Sequence, residues 1–230
     1  SHSTPHWFEL NADEQRFNDR LSKLLGDPER DDDDRAARLR NLVRRVMLHR
    51  RGSSHFAIGQ SLRKMLGEYR MILTDSNVPN IEVAEVTETL QTGRLLKDQC
   101  LELLDLLDEI EIDSKWEACR RLLADLRVVE ERPVMIFTDY ADTATYLGIM
   151  SENEGWPTFS YTGKNTFEDR GSAIKSARES NGIFILTTAA LTGLDLSITD
   201  TAIHYDLPWN PKHLLQRYGR LERVGSPSKS

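Results

Sequence analysis

A chain of 230 residues, 39% of them hydrophobic, is long enough for one large domain or two small ones around a real apolar core. No apolar run reaches the length needed to cross a bilayer, and the start SHSTPHWFEL has neither the charged region nor the apolar stretch of a secretory signal. A cytoplasmic protein without a membrane partner is therefore expected. The net charge of −7 weighs against a nucleic-acid partner, because phosphate binding usually shows as a basic surface. The charge is nevertheless segregated: the acidic run Asp31 to Asp34 stands directly before RAARLRNLVRRVMLHRR, Arg35 to Arg51. Cys100 and Cys119 sit in leucine-rich helical patterns without CxxC spacing, so both are read as buried thiols and no metal-ligating set is expected.

In chain order, the first half reads as helices. Phe17, Leu21, Leu24 and Leu25 recur at helical spacing between Asp13 and Leu25, and Gly26-Asp27-Pro28 ends the pattern. Leu39, Leu42, Val43, Val46 and Met47 form one stripe of a helix whose other face carries Arg38, Arg44, Arg45 and Arg51. Ser53-Ser54 suit the cap of a helix from Phe56 to Ile72, with Ile58, Leu62, Met65, Leu66 and Tyr69 toward a core. The polar stretch Thr74 to Glu88 reads as a linker, and a leucine-rich helix follows from about Leu90 to Ile110.

The character changes at Asp113-Ser114, where Ser114 is expected to cap a helix holding Trp116, Cys119, Leu122, Leu123 and Leu126. Apolar runs at Val134 to Phe137, Thr158 to Tyr161, Ile183 to Thr187 and Ala202 to Tyr205 then alternate with helical patterns at about Asp142 to Glu152, Thr166 to Glu179 and Lys212 to Glu222. This alternation predicts an α/β fold, a parallel sheet covered by helices on both faces, with ligands at the C-terminal strand ends. The domains expected are a mainly helical region over 1–112 and the α/β lobe over 113–230.

Two segments carry chemistry. In QRYGRLERVG, Gln216 to Gly225, the arginines Arg217, Arg220 and Arg223 recur every three residues, so the later two stand close on one helical face. Guanidiniums that close repel unless an anion joins them, and a polyphosphate accepts their bidentate hydrogen bonds. A solvated amphipathic helix fits the same spacing. The second segment, FILTTAALTGLDLSITDTAIHYDLPWNP from Phe184 to Pro211, has a strand ending at Thr187-Thr188, a tight turn at Gly193-Leu194-Asp195, a second strand, and the turn Pro208 to Pro211. Taken alone it is a strand, a turn and a strand.

Together, in this order, Thr187 to Leu196, Asp206 to Pro211 and Gln216 to Gly225 resemble motifs V and VI of superfamily 2 helicases. The W-N-P signature and the opening glutamine resemble Swi/Snf translocases, including their bacterial relatives. Upstream, RPVMIFTDYADTATYL and YTGKNTFEDR are similar to the preceding strands of that C-terminal RecA-like lobe, and LHRRGSSHFAIGQSL resembles the family's helical insertion. Three positions depart from the pattern: Asp195 stands where asparagine is commoner, Tyr218 replaces an aliphatic residue, and Thr192 replaces arginine or glutamate.

The resemblance implies that ATP lies between two lobes, with Arg220 and Arg223 as arginine fingers. Gln216, Arg217, Gly193 and Asp195 would line the nucleotide, Asp195 at the ribose. Thr187 and Thr188 would meet the nucleic-acid backbone, with Arg44 and Arg45 as a second backbone contact. For those last two, arginines on an exposed helix neutralised by Asp31 to Asp34 are the simpler reading. Neither a Walker A loop nor a DExH box is present, since Gly163-Lys164-Asn165-Thr166 lacks the leading glycine and the hydroxyl after lysine. ATP and Mg2+ are then expected to be held mainly by an N-terminal RecA-like lobe of the same parent chain, which leaves this segment inactive alone. Double-stranded DNA is the expected track, ahead of RNA. A non-catalytic RecA-like module binding nucleic acid or protein is the alternative.

Overall fold

The structure, a computed structural model, describes residues 4–25, 44, 47–48, 50–74, 97–129, 133–162, 172, 175–176, 179–187 and 201–207. The chain forms two compact units, Glu9–Ser114, and Lys115–Ser230 together with Ser1–Phe8. The helix expected over Lys212 to Glu222 and most of the linker expected over Thr74 to Glu88 lie outside the described residues. Among the described residues no helix is long and apolar enough to cross a membrane.

The first unit is helical. Helix α1, Ala12–Leu25, opens on a capping box. The Asn11 side-chain carbonyl accepts the Glu14 N–H at 3.0 Å, and the Glu14 carboxylate accepts the Asn11 N–H at 2.8 Å, so two otherwise orphaned amides are satisfied. Helix α2, His55–Thr74, is capped as the sequence suggests, by Ser54 Oγ accepting the Ala57 N–H at 3.1 Å. Phe17 and Leu21 of α1, Ile58 and Leu62 of α2, Cys100 and Leu103 of a helical segment over 97–108, and Met47 from the chain before α2 form one buried cluster. On its rim, Arg16 pairs with Glu109 and Arg20 with Glu102, so α1 and the 97–108 segment run antiparallel. These exposed pairs set register more than stability.

Burial pushes the Cys100 thiol up, from 9.0 to about 11. Native Cys100 is therefore expected to resist iodoacetamide at pH 8 and to react once the chain is unfolded, with mass spectrometry of the alkylated peptide as the check. The sign for stability follows: between about pH 9 and 11 the unfolded thiol releases its proton first, so this residue's contribution falls as pH rises through that window.

The second unit is a four-stranded, wholly parallel sheet in the order β2-β3-β1-β4. Its strands are β1, Val134–Thr138, β2, Thr158–Tyr161, β3, Ile183–Thr187, and β4, Ala202–His204. The central pair β1 and β3 is buried at every residue, which is why VMIFT and IFILT read as unbroken apolar runs instead of alternating ones. Val134 lies opposite Ile183 and Ile136 opposite Ile185. This face packs on Trp116, Cys119 and Leu123 of helix α3, Ser114–Val129, and on Ala144 and Leu147 of helix α4, Ala141–Asn153. The opposite face presents Met135, Phe137, Phe184 and Leu186, all equally buried. Helix α3 begins at Ser114, where the sequence places the start of a helix.

Helix α4 stops in a Schellman motif. Gly155, at φ +74°, donates its N–H to Glu152 O at 2.8 Å, and Trp156 donates to Ser151 O at 3.1 Å. Gly182 has a different reason to be glycine. A Cβ there would lie 2.6 Å from the Pro157 carbonyl oxygen and 2.9 Å from Phe159 Cε2, because the chain entering β3 runs against the chain entering β2. Gly182→Ala is expected to destabilise the chain by about 1–3 kcal/mol, read as a lower urea midpoint at unchanged slope.

Candidate functional site at the C-terminal sheet edge

In a parallel sheet every strand points its C-terminus the same way, and the order β2-β3-β1-β4 reverses direction at the β1 and β3 neighbours. Ligands of such sheets sit outside the strand ends at that reversal. The residues there are Thr138 at the end of β1, Asp139 directly after it and Thr187 at the end of β3, with Thr138 in register with Thr187.

Asp206 dominates the described part of this edge. Its side chain is 5% exposed and accepts from three donors: Lys115 Nζ at 3.2 Å, the Asp139 N–H at 3.0 Å, and the Thr138 hydroxyl. The Thr138 oxygen also accepts the Tyr140 N–H at 3.4 Å. Strand β4 stops at His204, one residue short of the sequence expectation. Tyr205 still donates its N–H to Phe137 O at 2.9 Å, and the chain then bends to bring Asp206 onto Thr138.

Lys115 completes the clasp. It is the second residue of α3, its side chain is 19% exposed, and its ammonium lies 4.1 Å from the centre of the Tyr205 ring. On the other face of the sheet His204 stacks on Phe137, with centroids 5.3 Å apart at 18°. The outcome is a neutralised, hydrogen-bonded carboxylate that fixes the end of β4 against the end of β1 and the start of α3. With its acceptors engaged, Asp206 shapes this edge.

Of the residues singled out from sequence, Thr187 lies at this edge and is buried, its hydroxyl without a partner among the described residues. Arg44 is helical, half-buried and partnered, in the other unit. Close to it in sequence, Arg50 donates to Ala57 O at 3.1 Å and Arg51 to Asn18 Oδ1 at 3.0 Å, so the described end of the basic segment has internal work. Arg45, Thr188, Gly193, Asp195, Gln216, Arg217, Arg220 and Arg223 lie outside the described residues. Sequence reasoning missed Lys115 and Thr138 as partners of Asp206. Neither stands in a local motif with it, and only the parallel pairing of β1 with β4 brings Thr138 to Asp206.

Residues 114–225 match the family described as the helicase conserved C-terminal domain. The chain is 27% identical over 175 residues to "Uncharacterized ATP-dependent helicase YqhH" of Bacillus subtilis, a stretch covering 75% of this chain and 27% of that protein. It is 32% identical over 116 residues to DEAD-box ATP-dependent RNA helicase 10 of Arabidopsis thaliana, covering 50% of this chain and 25% of the relative. The chain thus spans about a quarter of the length of these relatives. Among solved structures, the C-terminal part of the Fun30 ATPase domain aligns with a TM-score of 0.55 at 20% identity, covering 98% of this chain and 82% of that one. At that identity the likeness concerns the fold, a parallel four-stranded sheet flanked by helices, as in RecA-like helicase C-terminal domains. Residues 114–225 are thus similar in sequence to the helicase conserved C-terminal domain, and the chain has the fold of such domains.

Proposed function

We propose that this lobe is the second half of an ATP-dependent motor of the Swi/Snf type that translocates on double-stranded DNA, with residues 1–112 as the helical insertion region before it. The observation that carries the reading is the Asp206 clasp. It fixes the end of β4 against the end of β1 and the start of α3, and the chain continues from there into W-N-P and Q-R-Y-G-R-L-E-R-V-G. A motif that must meet a phosphate at the C-terminal sheet edge needs a fixed point of departure, and Asp206 is one.

In this reading the protein's own groups act by position and charge. Arg220 and Arg223 reach the transferring phosphoryl group from the side opposite the N-terminal lobe and neutralise charge as it develops on the equatorial oxygens. Gln216, Arg217, Gly193 and Asp195 hold the nucleotide edge, while Thr187 and Thr188 face the nucleic-acid backbone. ATP and Mg2+ would be supplied mainly by the N-terminal lobe. Relatives that include DEAD-box RNA helicases keep RNA as the second track.

A triplex-displacement experiment on the parent chain with both lobes tests this directly. ATP-dependent release of a third strand from duplex DNA, without separation of the duplex, is the expected result. ATP-dependent separation of an RNA duplex with no effect on the triplex would replace the DNA reading with an RNA helicase. Nucleic-acid binding with neither activity would leave a binding module.

A further inference from the structure

In the helical unit, three residues far apart in sequence bring metal-ligating atoms together: Glu14 in the first turn of α1, His55 at the start of α2, and Asp113. One donor atom from each lies within 4.8 Å of the other two. His55 Nδ1 stands 3.8 Å from Glu14 Oε1 and 3.9 Å from Asp113 Oδ2, too far for hydrogen bonds. The atom is buried and has no hydrogen-bond partner among the described residues.

The spacing separates two chemistries. A nitrogen and an oxygen that share a proton stand about 2.7–3.2 Å apart. Two donors that share a first-row cation, each about 2.0–2.2 Å from it, stand farther apart, up to about 4 Å at a wide angle. Both His55 distances fall in the second range.

The surroundings hold the donors in place as a metal site's outer partners do. The Glu14 side chain is 0% exposed, and its two oxygens are oriented by backbone amides, Oε2 by Asn11 and Oε1 by Ser114, both at 2.8 Å. The edge-on contact of Phe17 with the His55 ring, centroids 5.8 Å apart at 89°, fixes the imidazole plane. Asn11 in turn donates its side-chain N–H to Ile112 O at 2.8 Å, tying the segment before Asp113 to the start of α1. A cation beside two carboxylates, one of them fully buried, offsets part of the cost of holding their charge out of water.

We propose that Glu14, His55 and Asp113 bind one divalent transition-metal cation, Zn2+ by preference, through one imidazole nitrogen and two carboxylates. Two carboxylates balance the charge of the ion, and the imidazole selects zinc over magnesium or calcium. At 21% and 13% side-chain exposure, His55 and Asp113 leave room for water to complete the coordination. The ion would clamp the starts of α1 and α2 and the segment at Asp113 to one another, a structural role independent of the nucleotide chemistry.

The test uses the 230-residue chain stripped with a chelator and dialysed. Co2+ is expected to bind one equivalent with a visible d–d absorption band, and Zn2+ to displace it and raise the thermal midpoint by on the order of 5 °C. His55→Gln is expected to abolish the band and the shift, and Asp113→Asn, the milder change, to weaken Co2+ binding at least tenfold. A double variant His2→Ala, His6→Ala is expected to keep both signals. The proposal is overturned if the wild-type chain shows no band and no shift, if Asp113→Asn binds as tightly as wild type, or if the signal disappears with His2 and His6.

Discussion

In the motor with both lobes present, Arg220→Ala and Arg223→Ala are each expected to lower ATP turnover about a thousandfold or more. That factor corresponds to about 4 kcal/mol of transition-state stabilisation. The loss should fall on kcat much more than on the apparent affinity for ATP, because a guanidinium acting as a finger would meet charge that is fully developed only as the phosphoryl group transfers. Arg→Lys should rescue little: the ammonium is a point charge and cannot reproduce the planar fork. Turnover at the wild-type rate in either alanine variant removes the finger assignment and leaves the solvated-helix reading of Gln216 to Gly225.

The second large effect is expected at the clasp, and it concerns stability. Asp206→Ala removes the acceptor of three donors at once. It leaves the Lys115 ammonium largely buried against the Tyr205 ring without its carboxylate. Breaking a buried, hydrogen-bonded ion pair from one side costs about 3–5 kcal/mol, for a chain of this size a fall in the thermal midpoint on the order of 10 °C. Asp206→Asn should lose less, since the amide oxygen still accepts from Thr138 and Asp139. Lys115→Met combined with Asp206→Asn should be milder than the sum of the two, because neither charge is then stranded. A wild-type midpoint in Asp206→Ala would mean that the clasp does not hold the sheet edge.

The parallel sheet was legible because its central strands are buried on both faces. VMIFT and IFILT are continuous apolar runs of strand length, bounded by Pro133 and by Gly182. The α2 stripe of Ile58, Leu62, Met65 and Leu66 was equally plain, since helical periodicity and burial coincide there. Strand order was not legible. The insertion of β3 between β1 and β2 depends on how crossovers pack, which no local spacing records.

The same limit separates the parts of the site. Thr187 and the segment leading out of Asp206 announce themselves through short motifs. The partners of Asp206 do not, because Lys115 and Thr138 become its neighbours only when α3 and β1 are in place. Glu14, His55 and Asp113 share this property, each an ordinary residue at the start of a helix or just before one until the helical unit gathers them.

If this lobe completes an ATP site in a nucleic-acid motor, the parent chain hydrolyses ATP. The rate should be measured alone and with double-stranded DNA, single-stranded DNA and RNA. A low basal rate is expected, which double-stranded DNA raises severalfold or more above either competitor. No hydrolysis under any of the four conditions would contradict it.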